Sequence, residues 1–349
     1  MRELTIAGHR IADDTPAFVV AELGTNHQGS IEVARKLITA AAECGVDAVK
    51  LQKRNNRTLF TQALFDAPYN SEHAFGPTYG QHREALEFGI DAYEELRRYA
   101  DSLGLVFFAT AFDIPSVDFL AALDMPAFKI ASGDLQNTPL IRYAAQRGHP
   151  VIISTGGGCG QDMVRANAAL RDCPGAFLHC TAAYPCEPGE MNLRVIEYMR
   201  ALLPDRVIGL SNHHSGILMP PLAYALGARI FEQHFTINRT MKGSDHAFSL
   251  EPAGMRKLVR DLRRTYEALG DGVKRRYPSE DAPLYKMAKS LVAARNLPAG
   301  TVLEASDVAI KSPCGGLPPW RLPEVLGRRL TASLWEDEAV SLQAVTEWD

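Results

Sequence analysis

The 349-residue chain predicts an α/β protein. We read a closed (β/α)8 TIM barrel over residues 1–270, a linker over 271–285 and a small C-terminal domain over 286–349. Three observations carry this reading. Between residues 18 and 269, short apolar runs alternate eight times with helix-length amphipathic segments. The runs are apolar throughout, as parallel strands covered on both faces are. After residue 270 the rhythm stops in Gly, Lys, Arg and Pro, and a different texture begins. Eight βα units close a barrel. An open doubly wound sheet is the alternative, but it usually has fewer strands and a glycine fingerprint after the first. Here the first strand runs into Leu-Gly-Thr-Asn-His-Gln-Gly.

Residues 4–11 alternate in polarity and predict a hairpin turning at Gly8. Phe18-Val-Val-Ala-Glu22 is the first core strand. A helix over 31–44 is stopped by Gly45. Ala48-Val-Lys-Leu-Gln52 is the second strand. Residues 53–88, rich in Asn, Pro, Tyr and Gly, read as one long functional loop. Then come a helix (92–103), strand (105–110), helix (116–123), strand (127–130), helix (139–147) and strand (151–154). A helix (162–171), strand (176–180), helix (193–203), strand (207–210), helix (218–226), strand (229–234) and closing helix (252–269) complete the barrel. Gly156-Gly157-Gly158 lacks the Lys-Ser/Thr of a phosphate loop and reads as a tight turn. Beyond 286, short β-like pieces are cut by Pro298, Pro313 and Pro318-Pro319, with marginal area for a core.

Composition narrows the function. With 46% hydrophobic and 22% charged residues, this is an ordinary globular chain. A net charge of −4 without a basic run argues against nucleic acid as a partner. No apolar run is long enough to span a bilayer, and the N-terminus has no signal-peptide core. Six cysteines without CxxC spacing argue against a zinc knot and a disulfide framework. Most are expected to be small core fillers, reduced in a cytoplasm. For Cys180 or Cys186 as a nucleophile, no partner base is legible beside it.

The active face of such a barrel is the C-terminal end of its strands. The seventh strand delivers Ser211, Asn212 and His213 there, and the eighth delivers Glu232 and His234. Neighbouring parallel strands stand roughly 4.8 Å apart, so both imidazoles can reach one ion. A lone histidine is ordinarily a hydrogen-bonded core or surface residue; two at equivalent strand ends point to a metal. The other strands deliver Glu22, then Lys50 and Gln52, Thr110, Lys129 with Ser132 and Asp134, Ser154 and Thr155, and Thr181 with Tyr184. Each has a plain reading as a helix cap or surface group. Eight polar deliveries to one end do not. Lysines embedded in Ala-Val-Lys-Leu-Gln and Ala-Phe-Lys-Ile-Ala need partners, because burying a lone ammonium is costly. The pair predicts an anion between them, a phosphate with a carboxylate nearby.

Closure of the barrel pairs the eighth strand with the first, so Glu22 should neighbour His234. Glu22 then either completes a facial metal triad or handles a proton or hydroxyl. Two nitrogen ligands with open positions favour a Lewis-acidic divalent ion over structural zinc.

These residues meet a known family. Ala-Glu-Leu-Gly-Thr-Asn-His-Gln-Gly, Val-Lys-Leu-Gln, Phe-Lys-Ile-Ala-Ser-Gly-Asp, Leu-His-Cys-Thr-Ala-Ala-Tyr-Pro, Gly-Leu-Ser-Asn-His and Glu-Gln-His-Phe resemble the sialic acid synthases. The segment from Ala293 to Glu304 resembles that family's antifreeze-like (SAF) domain. The resemblance implies condensation of phosphoenolpyruvate with an N-acylmannosamine-type sugar. It places Mn²⁺, or alternatively Mg²⁺ or Co²⁺, on His213 and His234, and Glu22 beside the sugar's C1. It surrounds phosphoenolpyruvate with Lys50, Thr110, Lys129, Ser132, Ser154, Tyr184 and Ser211. It turns Gln52, Asp134 and Asp245 toward the sugar, with Lys311 supplied from the C-terminal domain. It also implies a domain-swapped homodimer in which each C-terminal domain covers the partner's barrel.

Two positions depart from the family pattern. Ala182 stands where bacterial members often carry Asn, and Lys311-Ser312-Pro313-Cys314 replaces a Lys-Arg-Pro-Gly-like turn. The run from Met241 to His246 resembles the animal-type branch, whose acceptors can be phosphorylated. The expected reaction yields a nine-carbon 2-keto-3-deoxy acid. One rival is another phosphoenolpyruvate–aldose synthase or a metal aldolase on the same barrel, against which the appended domain argues. The other is a non-catalytic sugar-acid-binding protein, against which Glu22 and the paired His and Lys argue.

Overall fold

The computed structural model describes residues 2–346. Residue 1 and the last three residues of the predicted C-terminal domain lie outside them. The chain splits into two units after Gly270. The first opens with an antiparallel hairpin, β1 (Glu3–Ile6) and β2 (His9–Ala12). Eight parallel strands follow: β3 (Phe18–Gly24), β4 (Ala48–Lys53), β5 (Val106–Ala111), β6 (Phe128–Ile130), β7 (Val151–Ser154), β8 (Gly175–Cys180), β9 (Val207–Asn212) and β10 (Ile230–His234). They close in sequence order, with β10 pairing β3. Helices follow each strand. The first, Ile31–Cys44, begins where the Ser30 side chain accepts from the Val33 amide, and ends at Gly45 in the left-handed region.

Side-chain parity places the site. Val20, Ala48, Phe108, Ala127, Ile152, Leu178 and Ile230 fill the barrel interior together with Leu4, Ile6 and Ile11 of the hairpin. Strand side chains alternate, so two residues onward the same strands point inward again. Those residues are Glu22, Lys50, Thr110, Lys129, Ser154, Cys180 and Glu232, and all are buried. The apolar plug therefore ends at one level and a polar layer starts there. On β9 the inward position at the plug is Gly209, where a Cβ would stand 2.4 Å from the Ile230 carbonyl oxygen. Only glycine fits.

The predicted loop 53–88 carries three short helices, Asn56–Leu59, Gln62–Asp66 and Tyr79–Glu84. Each is capped by a side chain, from Asn55, Thr61 and Thr78 respectively. Elements this short show no hydrophobic period, so pattern reading misses them.

The second unit has its own core around Leu291, Leu297, Leu303, Leu330 and Val340. Its only named strands among the described residues are β11 (Ser290–Ala293) and β12 (Val308–Lys311), an antiparallel pair. Much of the predicted linker is ordered: a 3-10 turn at Pro278–Glu280 leads into a helix, Asp281–Met287. No helix in the described residues is long and apolar enough to cross a membrane.

Candidate active site

The strand ends open into a cavity of about 520 Å³. Its floor is the polar layer. Lys50 Nζ lies 2.6 Å from Glu22 Oε2 and 3.5 Å from Glu232 Oε1, and donates to Thr110 Oγ1 at 2.7 Å. Lys129 Nζ donates to Ser154 Oγ at 2.6 Å and to the Ile130 carbonyl at 2.8 Å, with Glu232 Oε2 at 3.9 Å. Two lysines on different strands thus share one carboxylate. This corrects the expectation of an external anion as their sole counter-charge. The missing partner was Glu232, which parity turns inward between Ile230 and His234.

Burial governs the titration here. It would raise Glu232, but Lys129 and Lys50 outweigh it and hold the carboxyl at about 2. Glu22 goes the other way: burial, reinforced by Glu232, raises it despite Lys50. Burial lowers Lys129, while Glu22 and Glu232 overcome burial and raise Lys50. Glu22 is thus the carboxyl of this layer that takes a proton more readily. Its Oε1 also accepts from Gln52 Nε2 at 2.7 Å. Both of its oxygens are engaged by β4 side chains, which favours proton handling over metal ligation.

Above the floor stand the histidines, ring centroids 5.3 Å apart. His213 Nδ1 donates to the Thr181 carbonyl at 2.9 Å, leaving the Nε2 lone pair free. His234 Nδ1 is buried without a hydrogen-bond partner, 3.9 Å from Asp245 Oδ2. Burial pulls His234 down to about 4, so it is neutral at pH 7. Burial would lower His213, but Cys180 outweighs it and raises the ring; in their neutral forms the two imidazoles offer lone pairs that fit a divalent ion. Among the described residues no three His, Cys, Asp or Glu side chains form a metal cage, so such an ion would take its remaining ligands from water and substrate.

Cys180 has an imidazole beside it that the sequence did not show: its Sγ lies 3.7 Å from His213 Nδ1, the nitrogen that donates to Thr181 and so faces the thiol as a donor rather than a base, and it accepts from Ser132 Oγ at 3.4 Å. Burial would raise the thiol, but His213 outweighs it and the net shift is downward. The two meet only because β8 and β9 are neighbours.

Of the predicted residues, Glu22, Lys50, Gln52, Thr110, Lys129, Ser132, Ser154, Tyr184, Ser211, His213, His234 and Asp245 all line this cavity. Tyr184 stands at the rim, 56% exposed, its ring 4.2 Å from that of His213. Asp134 does not line the cavity; it sits in a 3-10 turn and accepts from Asn137 Nδ2. Lys311 lies in the second unit, in an exposed pair with Asp337 at 2.5 Å. Sequence reasoning passed over Arg54, Arg83 and Phe248, which also line the cavity. The arginines lie on the aperiodic stretch 53–88, and only its unusual length flagged them. Gly24 holds three lining groups together. Its φ is +51°, and a Cβ there would lie 3.0–3.4 Å from Asp245, Glu22 and Gln52.

A closed (β/α)8 barrel with an embedded lysine–carboxylate layer beneath paired histidines defines a barrel enzyme whose chemistry sits at the strand ends. The chain belongs to the NeuB family: that family's model matches residues 37–274, and a SAF domain matches 288–346. It is thus a sialic-acid-synthase-like enzyme. It is 39% identical to the human N-acetylneuraminate-9-phosphate synthase over 97% of this chain and 95% of that protein. It is 34% identical to the N,N'-diacetyllegionaminic acid synthase of Campylobacter jejuni, over 92% and 98%. Among solved structures it resembles the N-acetylneuraminic acid synthetase of Leptospira borgpetersenii, crystallised with citrate. There the TM-score is 0.69 and identity 32%, over 81% of this chain and 95% of that one.

Proposed function

We propose that this chain condenses phosphoenolpyruvate with an N-acylmannosamine-type sugar, free or 6-phosphorylated. The products are a nine-carbon 2-keto-3-deoxy acid and phosphate. The observation that carries the reading is the polar layer. Lys50 and Lys129 are 1–2% exposed and have Thr110, Ser154 and Ser211 buried around them, with Glu22 in the same layer and Gln52 and two histidines lining the cavity above it. Relatives named as N-acetylneuraminate-9-phosphate and N,N'-diacetyllegionaminic acid synthases support it.

In this reading the lysines and hydroxyls bind the phosphate and carboxylate of phosphoenolpyruvate. Gln52 and Asp245 orient the sugar with its open-chain C1 above C3 of phosphoenolpyruvate. The C2–C3 π pair forms the new C–C bond, and the aldehyde oxygen takes a proton to become a hydroxyl. Water adds at C2, and C–O cleavage there expels phosphate and leaves the ketone. Glu22, raised by burial, holds a proton beside the sugar's C1. His213 Nε2 and His234 Nδ1 would hold one divalent ion, Mn²⁺ or alternatively Mg²⁺ or Co²⁺, which supplies Lewis-acid polarisation of a carbonyl oxygen.

Phosphate release from phosphoenolpyruvate with a panel of aldoses, with and without EDTA, tests the reading. Release with a mannosamine-type sugar, lost on chelation, is expected. Release with shorter aldoses alone moves the chain to another phosphoenolpyruvate–aldose synthase or an aldolase. No release with any aldose leaves a sugar-acid-binding protein.

The resemblance supports two further readings: a homodimer in which Lys311 serves the partner's site, and a cytoplasmic enzyme. Mixing Lys311→Ala with His213→Ala protomers should restore part of the activity, because one site of each heterodimer escapes both changes. Subunit exchange without recovery removes the shared-site reading.

A further inference from the structure

Two buried amides stand behind the histidines. Strand parity turns Ser211 and Glu232 into the barrel, and Asn212 and Gln233 away from it. Asn212 and Gln233 are each 1% exposed, and neither lines the cavity. The outward positions before them, Ile208 and Leu210 on β9 and Phe231 on β10, are apolar and belong to the core between barrel and helices. An amide in that layer costs free energy unless it is hydrogen-bonded. Asn212 Nδ2 donates to Gln233 Oε1 at 2.7 Å. Gln233 Nε2 has no hydrogen-bond partner among the described residues. The pair is therefore only partly compensated, where two apolar side chains would leave nothing unsatisfied. Fold stability alone does not account for it.

Its place does. The backbone pairing of β9 with β10 ends at Asn212 and Gln233, one residue short of His213 and His234. The amide bond ties the two strands at the level where the histidines leave them. The backbone of His234 is also held by the Leu250 amide, which donates to its carbonyl at 2.8 Å. His213 lies past the end of its strand. Asn212 holds it there as well. Its Oδ1 accepts from the His214 amide at 3.1 Å, and its Nδ2 donates to the His214 carbonyl at 3.3 Å, closing a turn around His213. One side chain thus fixes both the turn that carries His213 and the strand that carries His234.

We propose that Asn212 and Gln233 are a positioning pair, whose amide–amide bond holds His213 and His234 at the spacing that lets both rings bind one divalent ion. The inference rests on the proposed metal site and names the residues outside it that set its geometry. Neither amide touches the ion or a substrate. Partners behind metal-binding side chains typically contribute about ten- to a hundredfold in metal affinity.

The test measures Mn²⁺ binding by equilibrium dialysis for the unmodified protein, Asn212→Ala, Gln233→Met, the double variant and His213→Ala. The visible spectrum of bound Co²⁺ is recorded for each. Gln233→Met keeps the volume and the Asn212 turn, so it removes the interstrand bond alone and decides the matter where Asn212→Ala fails to fold. Each single change should raise the Mn²⁺ dissociation constant about ten- to a hundredfold. It should also shift the Co²⁺ bands, which a loss of stability alone would not move. The double variant should bind no more weakly than Asn212→Ala, since the shared bond is lost only once. Folded variants with the unmodified protein's affinity and spectrum, beside a defective His213→Ala, overturn the positioning pair and leave the metal site standing. Losses that multiply in the double variant also overturn it, because the two residues then act independently. If His213→Ala binds Mn²⁺ as tightly as the unmodified protein, the metal site itself fails, and this inference with it.

Discussion

Lys50 and Glu22 face each other across adjacent strands at 2.6 Å, both almost fully buried. Their contact belongs to a layer in which Lys50 and Lys129 are matched by Glu22 and Glu232. Buried charges survive only when paired and hydrogen-bonded. An arriving dianion therefore enters a layer that is already neutral. Glu22 is the group that can yield, because burial and Glu232 raise it while Glu232 itself is held near 2. Protonation of Glu22 would free Lys50 for the incoming ligand.

Glu232→Gln should therefore leave the two lysines opposed by Glu22 alone. Breaking a buried ion pair by removing one partner costs about 3–5 kcal/mol, read as a lower unfolding midpoint. Phosphoenolpyruvate should then raise the variant's midpoint more than that of the unmodified protein. A variant as stable as its parent contradicts the layer.

Lys129→Ala tests the floor from the opposite charge. A charge-assisted contact contributes about 1.5–3 kcal/mol, so phosphoenolpyruvate use should fall roughly ten- to a hundredfold. Lost sugar affinity with unchanged phosphoenolpyruvate dependence would place the other substrate on the floor.

His213→Ala and His234→Ala should each abolish turnover and reduce bound Mn²⁺ in equilibrium dialysis. Full metal content in either variant would remove that histidine from the ligand set.

His27 carries a pH signature outside the metal pair. It is buried, stacked on Phe88 at 4.3 Å, and its Nδ1 accepts from the Gly29 amide. Burial pulls it to about 4. The folded pKa lies below the unfolded one, so as pH falls below about 6.5 the unfolded chain binds the proton first and stability drops. The loss continues down to the folded pKa and amounts to at most about 3 kcal/mol. His27→Gln should lose less stability than the unmodified protein between pH 7 and pH 4.5, measured by urea unfolding. Parallel pH slopes would contradict the assignment.

By itself the sequence determined the barrel, because eight short apolar runs and their helices carry a period that local physics imposes. It also determined which strands deliver histidine, lysine and hydroxyl groups, since these stand at the C-terminal ends of the apolar runs, where the active face of such a barrel lies. Tertiary structure alone decided how those groups pair. Glu232 bridges Lys50 and Lys129 because closure brings separate strands into one layer, and Cys180 meets His213 because β8 lies beside β9. The arginines fall where no period exists: Arg83 reaches the cavity through the fold of residues 53–88, whose short capped helices are fixed by tertiary contact rather than by their own propensity. Asp134 shows the converse, a motif residue that its local turn and Asn137 keep off the cavity wall.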